Sequence, residues 1–111
     1  MSNDDNNPAE AIIVRDDGQP IGRINFDDLE ANATLLMYAF ADSAGDDDKT
    51  DEVAAQWLDR IGPGHFGYVA AAALALMTRN VLAPVLEVVE RQGIDLRVGI
   101  REAYANALAT L

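Results

Sequence analysis

The sequence predicts a mainly α fold with a small β element: an N-terminal β-hairpin followed by a compact single domain of four or five helices. Three observations carry this expectation. Alanine, the strongest helix former, occurs 19 times in 111 residues. Apolar side chains recur at spacings of three and four in several separate stretches beyond residue 27. Ahead of them, residues 11–26 read AIIVRDDGQPIGRINF, in which β-branched runs at Ile12–Val14 and Ile21–Ile24 flank Asp16-Asp17-Gly18-Gln19-Pro20, a turn-forming segment. Residues 1–9 are polar and without apolar period, so a disordered acidic tail is expected there and the folded domain over residues 10–111.

The first helix should begin at Asp27 or Asp28, either of which can cap it, with Glu30 placed to approximate a capping box, and run to about Asp42. Leu29, Ala33, Leu36, Met37 and Phe40 mark its apolar face, widened by Leu35, Tyr38 and Ala39. A loop over Ser43–Lys49 leads to a second helix, capped by Asp48 or Thr50. Its stripe of Val53, Trp57, Leu58 and Ile61 ends at Gly62. Gly62-Pro63-Gly64-His65-Phe66-Gly67 holds three glycines and a proline in six residues, which predicts a hard break. Tyr68–Asn80 is apolar on nearly every face and predicts a central, surrounded helix.

Pro84 interrupts any continuation of that helix, as a kink or as the first turn of a new helix starting near Ala83. Val85, Val88 and Val89 are expected to face inward, Glu87 and Arg91 to pair outside, and Gly93 to terminate the helix. Asp95 can cap the last helix, where Leu96, Ile100, Ala103, Tyr104, Ala107, Leu108 and Leu111 form the clearest amphipathic pattern in the chain.

Charge divides the chain. Residues 1–60 hold 15 acidic against 4 basic side chains, and residues 61–111 hold 4 of each, so the whole net charge of −11 belongs to the first part. This disfavours direct nucleic-acid binding, which needs Lys or Arg against the phosphates. The longest apolar run, Tyr68–Met77, has ten residues against the roughly 20 of a membrane span. A start of MSNDDNNPAE lacks the basic and apolar regions of a secretory signal, and cysteine is absent, so no disulfide framework is available and a cytoplasmic location is expected.

Motifs that carry chemistry are scarce. A Ser-His-acid arrangement would have to use Ser43 with His65, the single histidine. Asp46-Asp47-Asp48 with Asp51 and Glu52 invites a calcium loop, but counted from Asp46 the sixth position is Asp51 where Gly is required and the twelfth is Trp57 where Glu is required. Helix-start capping accounts for the run better, and no metal site is expected. Gly62, Gly64 and Gly67 match the GxGxxG spacing, yet a helix precedes them rather than a strand, so no nucleotide or other cofactor is expected.

These observations point to a small acidic, non-enzymatic interaction protein, a regulatory or accessory subunit that docks on another protein, with basic proteins among the expected partners. A homodimer is expected from the hairpin edge and the apolar last helix. One alternative is a DNA-mimicking inhibitor that covers a basic surface with ordered carboxylates, for which Asp46, Asp47, Asp48, Asp51 and Glu52 are the candidate partner-binding residues. Another is a small enzyme or ligand-binding protein with a site at the Gly62–Gly67 break, for which His65, Tyr68, Asp59 and Arg79 are the candidate ligand residues.

Overall fold

The computed structural model describes residues 10–14 and 20–111, with side chains from residue 27 onward, and it is mainly helical. Strands β1 (Glu10–Val14) and β2 (Pro20–Asn25) pair antiparallel, with Ala11 opposite Ile24 and Ile13 opposite Gly22 and an irregularity between Ile13 and Val14. The expected tail over residues 1–9 and the turn at Asp16–Gln19 lie outside the described residues. Helices α1 (Phe26–Asp42), α2 (Asp47–Ile61) and α3 (Pro63–Met77) follow. A π-turn over Thr78–Leu82 leads into α4 (Ala83–Arg91), and α5 (Leu96–Thr110) ends the chain. The residues group into two compact units, one through Met77 and one over Thr78–Leu111.

In the N-terminal unit α1 packs against both α2 and α3, most extensively against α3. Its period-3.6 stripe is what is buried: Ala33 and Leu36 have no exposed surface, and Met37 has 1%. Val53 of α2 and Val69 and Ala73 of α3 complete the core. Leu35 and Tyr38 project from the other side of α1 and are 52% and 59% exposed, so they widen its apolar surface without being covered.

The cap of α2 is Asp46, not Asp48 or Thr50. Asp46 has extended torsions, φ −124° and ψ 94°, and its Oδ1 accepts from the Lys49 amide at 3.1 Å. Asp48 lies inside the first turn, and the Thr50 hydroxyl is held by the carbonyl oxygens of Asp46 and Ser43. The loop is therefore Ser43–Asp46 alone. Lys49 reaches back across it to Asp42 at 2.9 Å.

The hard break expected over Gly62–Gly67 is a single residue. Gly62, at φ 91° and ψ 151°, caps α2, its amide donating to Leu58 O, and its carbonyl then accepts from the Phe66 amide at 3.0 Å as α3 begins. The proline that argued against a helix is why one starts there: at the first helical position its fixed φ is already helical and its missing N–H has no intrahelical partner to lose. Gly64 and Gly67 are carried inside α3 with open space around them.

Helix α3 is also less surrounded than its composition suggests. Only Val69 and Ala73 are buried, while Tyr68 and Leu74 are 47% and 69% exposed. Four consecutive alanines, Ala70–Ala73, raise the apolar content and the helix propensity while presenting little area to bury.

In the C-terminal unit Pro84 is accommodated by the π-turn. A proline ring clashes with the carbonyl four residues back and removes one amide donor, and the wider i→i+5 turn just before α4 relieves both, placing Pro84 in the first turn of a new helix. Gly93, at φ 86°, turns the chain after α4, and Asp95 caps α5 by accepting from the Arg97 and Val98 amides. Of the three valines expected to face inward, Val85 and Val88 are 51% and 53% exposed and Val89 is half-buried, while Leu86 is buried. The reason is where α5 sits. Leu82, Ala83 and Leu86 line a shared hollow with Arg97, Ile100 and Arg101, and Arg97 Nε donates to Glu90 Oε1. The side of α4 that meets α5 is thus the Leu82–Leu86–Glu90 edge, and the ion pair between the two helices is Glu90–Arg97.

Candidate docking groove

Helices α1, α2 and α3 leave an open groove of ≈ 280 Å³ between them, lined by side chains without a polar contribution. Leu36, Met37 and Ala73 form a buried floor. Phe40, Phe66, Leu74 and Met77 supply the large walls, and Ala54 and Ala70 complete the lining. The groove exists because alanines stand where larger residues would close it. Helices at an alanine-rich contact approach closely at the alanines and leave unfilled volume beside the neighbouring aromatic and thioether side chains.

The helices around it are electrostatically one-sided. Helix α1 carries Asp27, Asp28, Glu30 and Asp42, and α2 carries Asp47, Asp48, Asp51, Glu52 and Asp59, answered by Lys49 and Arg60; α3 has no charged residue. Several of these groups have local tasks. Lys49 hydrogen-bonds and attracts Asp42, holding that carboxyl below the ordinary aspartate range and the ammonium above the ordinary lysine range. Gln56 donates to Glu52 at 3.0 Å, and the Arg60 guanidinium lies 4.7 Å from the centre of the Trp57 ring.

Asp46, Asp47, Asp48, Asp51 and Glu52, the expected partner-binding carboxylates, are all exposed along the start of α2. Their clustering has a local cause, since Asp46 caps the helix and Asp47 and Asp48 occupy its positive first turn. Among the described residues no group of three His, Asp or Glu side chains is placed to hold a metal ion.

The expected ligand residues divide. His65 and Tyr68 share one side of the first turns of α3 by their spacing of three; His65 is half-buried and Tyr68 exposed. Asp59 is exposed in the last turn of α2, and Arg79 is exposed in the π-turn of the C-terminal unit. None of the four lines the groove. Ser43 is fully buried and hydrogen-bonded to Phe40 O and Thr50, which closes it to any substrate.

Phe66, Ala70, Leu74 and Met77 were not distinguishable as site residues in sequence. Their signal is their spacing, because they fall at intervals of three and four on α3 and so form one strip opposite α1. One helical stretch among the described residues, Pro63–Arg91, is long and apolar enough by length and composition to cross a membrane, with a mean hydropathy of 1.7 in its most apolar window, and Arg79 falls inside it. Comparison with known proteins finds no matching family model, no matching curated protein and no matching solved structure.

Proposed function

We propose that this chain is a small acidic interaction protein, an accessory or regulatory subunit without catalysis of its own, whose groove between α1, α2 and α3 receives an amphipathic basic helix of another protein. The observation that carries the reading is the coincidence of a wholly apolar groove with the part of the chain that holds all the net charge. A guest helix would seat apolar residues at i, i+3/i+4 and i+7 against Phe40, Phe66 and Leu74, while lysines or arginines on its flanks meet the carboxylates of α1 and α2. Burial supplies the affinity in such a complex. Charge supplies the approach rate and the rejection of acidic helices.

The test uses a synthetic helical peptide with leucines at those spacings and lysine flanks, and a control with the same leucines and glutamate flanks. The basic peptide should bind, and its affinity should fall roughly tenfold as salt rises from about 50 to about 500 mM, because exposed charges are screened within a few ångströms at the higher value. Leu74→Lys, at an exposed wall of the groove, should abolish binding while leaving helicity intact. Equal binding of both peptides, or binding insensitive to Leu74→Lys, would overturn the reading.

A further inference from the structure

Helix α5 carries two parallel rows of residues, each at intervals of four. Leu96, Ile100, Tyr104 and Leu108 make a ridge, exposed by 45%, 49%, 67% and 69% respectively. Beside it Gly99, Ala103 and Ala107 make a trough of small residues at the same interval. A Cβ built on Gly99 meets nothing within 4 Å, so the trough is open within the chain itself. A ridge and a trough of identical pitch on one helix are self-complementary, since the ridge of one copy fits the trough of another.

We propose that a second copy of this chain covers α5, in an isologous antiparallel pair whose two-fold axis passes between Ala103 and Tyr104. That register sets Tyr104 against Ala103 of the partner subunit, Ile100 against Ala107 of the partner subunit and Leu108 against Gly99 of the partner subunit, large on small, and closes each end of the contact with Leu96 against Leu111 of the partner subunit. A parallel pair would set large on large. Two further observations single out a second copy as the occupant. The first is charge: residues 78–111 hold 4 acidic and 4 basic side chains, whereas the −11 of the chain lies wholly in residues 1–60, so a contact made through α5 does not set acidic surface of one copy against acidic surface of the other. In the stated register Arg101 falls opposite Asn106 and Glu102 opposite Ala105, so no like charges are set face to face.

The second is area. The ridge together with the fully exposed Leu111 presents on the order of 600 Å² of apolar side chain, most of the roughly 800 Å² that each partner brings to a standard interface, and the trough supplies the remainder. The pair is independent of the groove described above and would place two such grooves in one particle, raising avidity for a partner with two helices.

Sedimentation velocity on the full chain from about 1 to about 100 μM tests this, with a concentration-dependent monomer–dimer equilibrium expected. Gly99→Gln fills the trough and has room in the monomer, and it replaces a poor helix former with a good one; it should weaken the dimer about tenfold or more while helicity holds or rises. Tyr104→Ala should weaken it similarly. Because the chain has no cysteine, an Ala103→Cys variant should be joined into covalent dimers by a short bismaleimide, and an Ala109→Cys variant, on the outer side of α5, should not. A monomer at every concentration overturns the proposal, as does a dimer indifferent to Gly99→Gln and Tyr104→Ala. Binding of the basic peptide is read on the same variants and should be unchanged by them, so failure of the pair and failure of the groove are told apart.

Discussion

The hydroxyls of Ser43 and Thr50 hydrogen-bond to each other across 2.8 Å, and the Ser43 hydroxyl also reaches Phe40 O at 2.8 Å. The contact ties the first turn of α2 to the last turn of α1 through the single buried polar side chain among the described residues. Ser43→Ala should cost about 1 kcal/mol, the low end for a buried hydroxyl, since Phe40 O still accepts from the Ser43 backbone amide and Thr50 can turn to Asp46 O at 3.1 Å. Ser43→Leu should cost about 1–3 kcal/mol, as the site has no exposed surface to relieve overpacking. Urea denaturation reads both, as a shift of midpoint at unchanged slope.

Asp46 and Asp48 stand two residues apart with different roles, and stability should tell them apart. Asp46→Ala removes the side chain that satisfies the Lys49 amide and should cost about 1 kcal/mol, whereas Asp46→Asn or Asp46→Ser should cost little. Asp48→Ala loses only a favourable charge in the first turn, about 0.3–1 kcal/mol at low ionic strength. Repeating the measurement at high salt separates them further, because the charge effect is screened and the cap hydrogen bond is retained. Equal losses for the two alanine variants at high salt would contradict the assignment of the cap.

The Asp42–Lys49 pair makes a pH prediction with a definite sign. Asp42 is held below its ordinary value by Lys49, so its contribution is present above the ordinary aspartate pKa and is lost as pH falls through the depressed one. Lys49 is held above its ordinary value by Asp42, so its contribution is present below the ordinary lysine pKa and is lost as pH rises through the raised one. The stability difference between wild type and Lys49→Met should be flat through neutral pH and vanish at both extremes. It should also be small, because both groups are exposed. An NMR titration of the Asp42 carboxyl should show its midpoint rising in Lys49→Met; an unmoved midpoint would mean that the pair is not formed in solution.

Much of the helical framework is legible in the sequence where a single residue makes the decision. Asp95 is the one capping residue between Arg91 and Leu96, and Gly93 the one glycine there, so both ends of the α4–α5 corner are marked in the sequence. The start of α2 could not, because three consecutive aspartates are equally competent caps. What selects Asp46 is the fold of the loop, in which the Ser43 carbonyl accepts from the Asp46 amide at 2.9 Å. The valines of α4 misled for another reason: an apolar residue faces inward only if a neighbour lies on that side, and α5 lies along the Leu82–Leu86 edge.

The groove was illegible for a related reason. Leu36, Met37 and Phe40 read as core and do belong to the packed side of α1. A groove, however, is made by what fails to fill a space. The smallness of Ala54, Ala70 and Ala73 acquires meaning only when three helices converge on them. His65, Tyr68, Asp59 and Arg79 stand out by chemical type, and none of them lines this groove.

A single residue separates α2 from α3. Two torsion angles of Gly62 therefore set the direction in which α3 leaves, and its φ of 91° closes that direction to residues bearing a Cβ although there is open space for one. Fifteen residues of α helix extend about 22 Å, so a rotation of about 10° at this pivot would carry the far end of α3 by ~4 Å. Phe66 lies near the pivot and Met77 at the tip. The α3 wall of the groove is thus a lever arm with its fulcrum at one glycine, and the place of Met77 is decided about 20 Å away from it.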